Sequence, residues 1–524
     1  MVEAKLAQVT LLSANPGKNL GTNAEKWPNE LMEPLFELTV TRAAAGSREV
    51  ASHLFRQLKD AILDKRLPPG SRLPSTRSAK RIFGVSRNTA QDVYDRLVQE
   101  GLLATRHGSG TFVPDAAPDA VVEPLRPTEE LHGRVNPFWE RPEIASWMGF
   151  WHERRCTEIP SPTVADLRPA LVDQRLFPHA TFRQVMARQL RRLETNPASS
   201  RSPQHNQGNS QLRRAIAQHI GLTRAVACQQ DDILVTSGAQ QAFDLIARAL
   251  VVPGETIVAI EDPGYPPMRV PFAAAGARLV PVPVDGEGIV VDSIPADAKI
   301  VCVCPSHQFP LGMPMSLQRR QALLRFAKEK GAVIVEDDYD GEFRYDGSPL
   351  EALRGNTSAN HVLYVGSFSK CMFPAVRLGF IVAPSWALPA LVTAKNSTDW
   401  HSSIPIQAAV AEFIRGGHLA RHIRRARRIY RDRRDHMVSL LERHVGDSLR
   451  VVPSFYGMHL AAIARDAIDC DAVSERLARD GIMVHSLSRY FLEARTHNGF
   501  ILGYAAADLD ALRMTVRALA KEIG

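Results

Sequence analysis

From about residue 161 onward, helical patterns alternate with short, almost wholly apolar runs at 233–235, 257–260, 300–304, 332–335, 362–365 and 378–382. Apolar runs of this length, spaced by helices, predict a mainly parallel sheet buried on both faces, with the helices as its crossovers. That defines an α/β domain over residues 161–524. A chain of 524 residues exceeds one ordinary core, so a further, smaller unit is expected before it.

That unit is legible from Ser47. Leu54, Leu58 and Ile62 recur at helical spacing before Leu67-Pro68-Pro69-Gly70 stops the helix. Ser75 caps a short second helix that ends at the turn Gly84-Val85, and Ser86 caps a third over 87–100. The third helix would bury Ala90, Val93, Leu97 and Val98 and turn Arg87, Asn88, Thr89 and Gln91 outward near its start. Residues 102–106 and 111–113, joined by His107-Gly108-Ser109-Gly110, read as a hairpin wing. This is an α+β winged helix-turn-helix over 47–114, whose third-helix N-terminus suits base edges and phosphates in a major groove. Residues 1–46, with Asn15-Pro16-Gly17, Pro28 and Pro34, are expected to be a mobile tail. The acidic, proline-rich stretch 115–160 is expected to be a semi-extended linker.

The segment resembles the GntR winged-helix family in Pro69-Gly70-Ser71-Arg72-Leu73-Pro74-Ser75, in Gly84-Val85-Ser86-Arg87-Asn88-Thr89 and in Gly108-Ser109-Gly110-Thr111-Phe112-Val113. The resemblance implies contact with double-stranded DNA through Arg77, Ser86, Arg87, Asn88, Thr89, His107, Gly108 and Ser109. Gln91 stands where some family members carry arginine.

In the α/β domain, Lys370 follows an apolar run within Gly366-Ser367-Phe368-Ser369-Lys370, placing an amine at the carboxyl edge of the sheet, where doubly wound folds bind ligands. Asp337 ends another run and suits a protonated pyridine nitrogen, the partner pyridoxal phosphate (PLP) requires. Tyr339 would reach the phenolic oxygen, and Tyr265 would stack on the ring. Gly238, Ala239 and Gln240 open a helix whose amides form a phosphate cradle, completed by Ser367 and the forked guanidinium of Arg377.

These motifs resemble the fold-type I aminotransferases over 161–524. Together with the winged helix, with Pro305-Ser306-His307-Gln308-Phe309-Pro310 and with Glu336-Asp337-Asp338-Tyr339-Asp340, they resemble the MocR/GabR subfamily of GntR-type transcription regulators. That resemblance implies PLP held as a Schiff base on Lys370, Ser369 as a further cofactor neighbour, a DNA operator and a head-to-tail homodimer. Three positions depart from a working transaminase: Phe309 replaces an asparagine, Ile501 the arginine that clamps a substrate carboxylate, and Pro267 an arginine found in a relative that senses γ-aminobutyrate. Arg344 or His307 are possible replacements. Residues 203–208 also lack the tyrosine that reaches a partner's phosphate. Intact attachment chemistry beside an eroded clamp points to sensing of an amine, an amino acid or PLP itself. An active aminotransferase with a vestigial DNA-binding domain stays open as the alternative.

A formal net charge of +8 favours a polyanionic partner where the basic residues cluster. Eight arginines fall within 421–434, read as a solvated or interface helix face. The first thirty residues carry no signal-like apolar stretch, and no run of about eighteen apolar residues occurs, so a cytoplasmic protein with no membrane role is expected. The six cysteines lack zinc-type spacing, so reduced thiols and no metal are expected, with Cys371 as a packing residue.

Overall fold

The computed structural model describes residues 49–106, 109–114, 135–149, 164–195, 206–345, 351–355, 359–465, 468–493 and 495–524. The expected tail, most of the expected linker, His107, Gly108 and residues 203–205 lie outside the described residues. The chain divides into two units, Met1–Val135 and Asn136–Gly524.

In the first unit, helices Glu49–Leu63, Thr76–Phe83 and Arg87–Gln99 precede strands Ala104–Arg106 and Gly110–Phe112. Leu54, Leu58 and Ile62 are buried in one core with Val93 and Leu97. Ser75 and Ser86 cap their helices, accepting from Ser78 N and Thr89 N, and Gly84 ends the second helix in the left-handed region. The inward face of the third helix differs from expectation at one place. Tyr94 is buried and its hydroxyl donates to Pro74 O at 2.9 Å, whereas Val98 is only half-buried. A tyrosine is buried at low cost once its hydroxyl is bonded, and this bond ties the third helix to the turn before the second. The strands pair antiparallel, Ala104 opposite Phe112 and Arg106 opposite Gly110.

The second unit is built on a mixed sheet in the order Ile233–Thr236, Gly379–Val382, Val362–Ser367, Val333–Asp338, Ile300–Val303, Ile257–Asp262, Arg278–Asp285, Gly288–Ile289. The pairings from Val362–Ser367 through Arg278–Asp285 are parallel. Gly379–Val382 runs antiparallel to both its neighbours. The chain between Ser367 and Gly379 is too short for a helical crossover, so it returns as a hairpin, and Lys370 sits in that return. Alternate strand residues enter two different cores: Val258, Cys302 and Val335 pack with Ile246 and Phe272, and Ala259, Val301 and Ile334 with Leu323 and Ala327. Helices therefore cover both faces, as the apolar runs require.

A second, antiparallel sheet in the order Leu449–Val451, His459–Ala464, Gly499–Gly503, His485–Ser486 packs with the helices His418–Val445 and Leu509–Ile523. Part of the expected linker is ordered as helical turns, Pro137–Glu140 and Pro142–Met148, each begun by a proline at a position that needs no amide donor. Ile144 there is buried. Among the described residues, no helix is long and apolar enough to cross a membrane. Cys228, Cys302, Cys304, Cys371 and Cys470 are free, and burial holds the Cys371 thiol well above its usual range, packed among Phe368 and Met372.

Candidate cofactor site and DNA-reading surface

Parallel register gathers at one sheet edge what the sequence spreads over more than a hundred positions. Asp337 is level with Val365, two residues before Ser367, and the loop that follows carries Ser369 and Lys370. A cavity of about 410 Å³ opens at these strand ends. Ala239, Gln240, Tyr265, Asp337, Tyr339, Ser367, Ser369, Lys370 and Arg377 all line it. Gly238 is the N-cap of Ala239–Leu250, next to that lining.

The Lys370 amine donates to Ala170 O at 2.6 Å, and burial lowers its pKa to about 8. Asp337 is buried, and burial, reinforced by Asp338 and Asp340, raises its carboxyl to about 8, while Lys370 pulls the other way. It accepts from the Cys304 thiol at 3.9 Å, a weak donor to a carboxylate. Asp338 is different: Arg224 Nε donates to it at 2.6 Å and Tyr364 at 2.5 Å, which makes it structural.

Gly238 has φ 91°, and a Cβ there would lie 3.5 Å from the Arg377 guanidinium. Arg377 itself is left-handed, at φ 46°, a conformation costing a non-glycine residue on the order of 1–2 kcal/mol. It donates from Nη2 to Ser237 O at 3.1 Å, which lays its fork beside the helix N-terminus. Gln240 is anchored by its amide, which donates to Pro267 O at 2.9 Å.

Tyr265 meets Phe309 edge-on at 5.5 Å, and Phe309 meets Tyr339 edge-on at 5.4 Å. Phe309 and Ile501 share one buried apolar cluster, and Pro267 lines the cavity, so none of the three departures supplies a charge. Of the two possible replacements, Arg344 lies over the Tyr456 ring at 4.7 Å. His307 is bound from Nδ1 to Tyr339 Oη at 2.6 Å and to Asp340 Oδ2 at 3.0 Å. His307, Asp340 and His459 bring ligand-type atoms within 4.8 Å of one another, with two of the three residues already bonded to each other.

Sequence reasoning missed Met148, Ala170, Leu171 and Pro374 in the cavity lining. None carries a polar side chain, and Ala170 contributes only a carbonyl, so no motif announces them.

In the first unit, Arg77, Ser86, Arg87, Asn88 and Ser109 are exposed, and the Ser86 hydroxyl also bonds that of Thr89 at 2.7 Å. Gln91 is turned along its own helix, donating to Asp95 at 2.8 Å. Arg72 and Arg106, both exposed and absent from the expected contacts, lie 5.9 and 5.5 Å from the Phe112 ring at the wing.

An α/β unit with this sheet order and a lysine in the hairpin return has the fold of PLP-dependent aminotransferases; a winged helix precedes it. Residues 50–113 match the bacterial regulatory proteins of the gntR family, and residues 175–498 match aminotransferase class I and II. The probable rhizopine catabolism regulatory protein MocR of Rhizobium meliloti is 34% identical over 89% of this chain and 92% of its own length. The pyridoxine biosynthesis transcriptional regulator PdxR of Corynebacterium glutamicum is 30% identical over 90% of this chain and 96% of its own. Among solved structures, a kynurenine aminotransferase of Pyrococcus horikoshii superposes with a TM-score of 0.63 at 28% identity, covering 70% of this chain and 92% of that one. The chain belongs to the MocR/GabR subfamily of GntR-type transcription regulators.

Proposed function

We propose that the chain is a transcription regulator whose C-terminal unit holds PLP on Lys370 and uses it to sense an amine, an amino acid or PLP itself. The N-terminal unit binds a double-stranded operator, and the working form is a head-to-tail homodimer. The observation that carries the reading is the Lys370 amine and the Asp337 carboxyl facing one cavity, with burial working against the charge of each.

The residues fit the group. Asp337 is a buried carboxylate that a protonated pyridine nitrogen would neutralise. The Ala239 helix N-terminus, Ser367 and Arg377 supply donors and positive potential for a phosphate, and the φ of Gly238 lets the backbone make that turn. When bound, PLP supplies an aldehyde carbon that an incoming amine can take over from the lysine. Lowered to about 8, the Lys370 amine is more readily unprotonated than a solvent-exposed lysine. Apolar Ile501 leaves no carboxylate clamp at its position, and Phe309 supplies no donor at the asparagine's, which favours sensing over turnover.

The purified protein mixed with PLP is expected to gain the visible absorbance of a lysine-bound cofactor, and Lys370→Ala to lack it. An unchanged spectrum in the variant overturns the assignment.

A further inference from the structure

His307 packs against Tyr339 outside the cavity lining and has no part in the PLP reading above. It is buried, as are Asp340 and His459 around it. Its Nδ1 stands 2.6 Å from Tyr339 Oη and 3.0 Å from Asp340 Oδ2. The backbone closes over the ring: a Cβ on Gly457, whose φ is 78°, would come within 1.9 Å of His307 Cε1, so only glycine leaves the imidazole its place.

Donor and acceptor chemistry then fixes the protons. An ionised carboxylate only accepts, so the proton between Nδ1 and Asp340 belongs to Nδ1. A protonated Nδ1 cannot accept from Tyr339, so the phenol oxygen must be the acceptor of the same N–H. Tyr339's own proton is left to point elsewhere, and burial holds that phenol protonated, well above its usual range. Tyr339 lines the cavity, which is where its proton can find an acceptor. On the other side, His459 Nε2 donates to Pro310 O at 3.0 Å, leaving its Nδ1 bare, and both that atom and His307 Nε2 are buried without a hydrogen-bond partner. Bare nitrogens at both positions agree with His307 carrying its proton on Nδ1.

We propose that His307 is a positioning residue: held by Asp340, its Nδ1–H occupies the acceptor side of Tyr339 and turns the phenolic proton into the cavity, onto the phenolic oxygen of the cofactor. This rests on the PLP reading. It also explains how the site does without the asparagine that Phe309 replaces, since one well-aimed donor remains. The other charged or titratable groups facing this relay are Asp337, Cys304, Lys370 from the hairpin return, His459 and Tyr504 from the second sheet and its end, and Arg224 and Tyr456 beside the small cavity at His307.

Two measurements test it. In cofactor-free protein labelled with ¹⁵N-histidine, the signals lost in His307→Asn identify His307; the Nδ1–H tautomer is expected, and the Nε2–H tautomer overturns the proposal. In PLP-loaded protein, the protonation midpoint of the visible band is followed with pH. Losing a donor to the phenolic oxygen makes that oxygen hold its proton more tightly, so Tyr339→Phe should raise the midpoint by roughly half to one pH unit. His307→Leu should raise it similarly, the double variant no further, and His307→Asn, which keeps an amide donor near the Nδ1 position, should restore it. A wild-type midpoint in folded His307→Leu, with Tyr339→Phe shifted, overturns the proposal. If wild type never shows a Lys370-dependent band, the PLP reading falls, and with it the cofactor as Tyr339's acceptor; the tautomer still decides the orientation of the phenol.

Discussion

Asp337 and Lys370 work against each other's isolation at one strand edge, and the pH dependence of stability carries their signature. Asp337 is raised to about 8 in the folded protein, so between the usual carboxylate pKa and 8 the folded state binds more protons than the unfolded one. Stability of the cofactor-free protein should therefore fall as pH rises through that window. Glu261, also raised by burial to about 8, acts with the same sign. Lys370 is lowered to about 8, so its contribution lies above that pH and has the opposite sign, stability being recovered as the amine loses its proton. Melting temperatures from pH 5 to 8 should decline, and saturating PLP or Asp337→Asn should flatten the decline. A slope unchanged by both would contradict the role given to Asp337. Both residues were legible in the sequence because Asp337 ends an apolar run and Lys370 closely follows one, and the end of a strand is a place in space. The His307–Tyr339 bond was not, because it depends on how two loops 32 positions apart close on each other.

At the scale of elements, the helix His418–Val445 sorts its arginines by depth. Arg421, Arg424, Arg425, Arg428 and Arg431 are exposed, whereas Arg433 is buried and donates to Asp173 at 2.8 Å, a pairing across 260 positions. The expectation of a solvated or interface face fits the first five and not Arg433. Arg433→Ala should cost about 2 kcal/mol in a denaturant titration, because it removes a buried charged donor shared by Asp173 and Ala505 O, although Asp173 keeps the fork of Arg175. Arg424→Ala should change stability by less than about 0.5 kcal/mol. Equal effects would contradict this sorting.

Other elements escaped the sequence for definable reasons. Arg278–Asp285 holds Pro281 and Pro283, which cannot donate to a ladder, yet it lies beside the two-residue strand Gly288–Ile289 at the sheet margin, where proline is tolerated. The antiparallel course of Gly379–Val382 is set by the short return that carries Lys370, and apolar content alone does not give strand direction. Helix Pro142–Met148 is too short for periodicity to reveal, although Ile144 is buried and Met148 reaches the cavity.

The whole molecule pairs a unit that carries the helix-turn-helix motifs with an aminotransferase-fold unit whose cavity is the proposed PLP site. The division between them was legible from the change in pattern, since a three-helix spacing with a hairpin gives way to the alternation of a buried parallel sheet. The effector was not, because Phe309, Pro267 and Ile501 remove recognition groups without naming what replaces them. A regulator differs from an aminotransferase in one thermodynamic respect: the ligand proposed at Lys370 must change the affinity of the other unit for DNA.

The most direct measurement is therefore the affinity for DNA flanking its own gene, taken with no additive, with PLP, and with PLP plus a panel of amines, for wild type and for Lys370→Ala. Wild type should change affinity by at least about fivefold with PLP or with one of the amines. Lys370→Ala should bind the same DNA and not respond. A response of equal size in the variant, or none in wild type, would contradict the account.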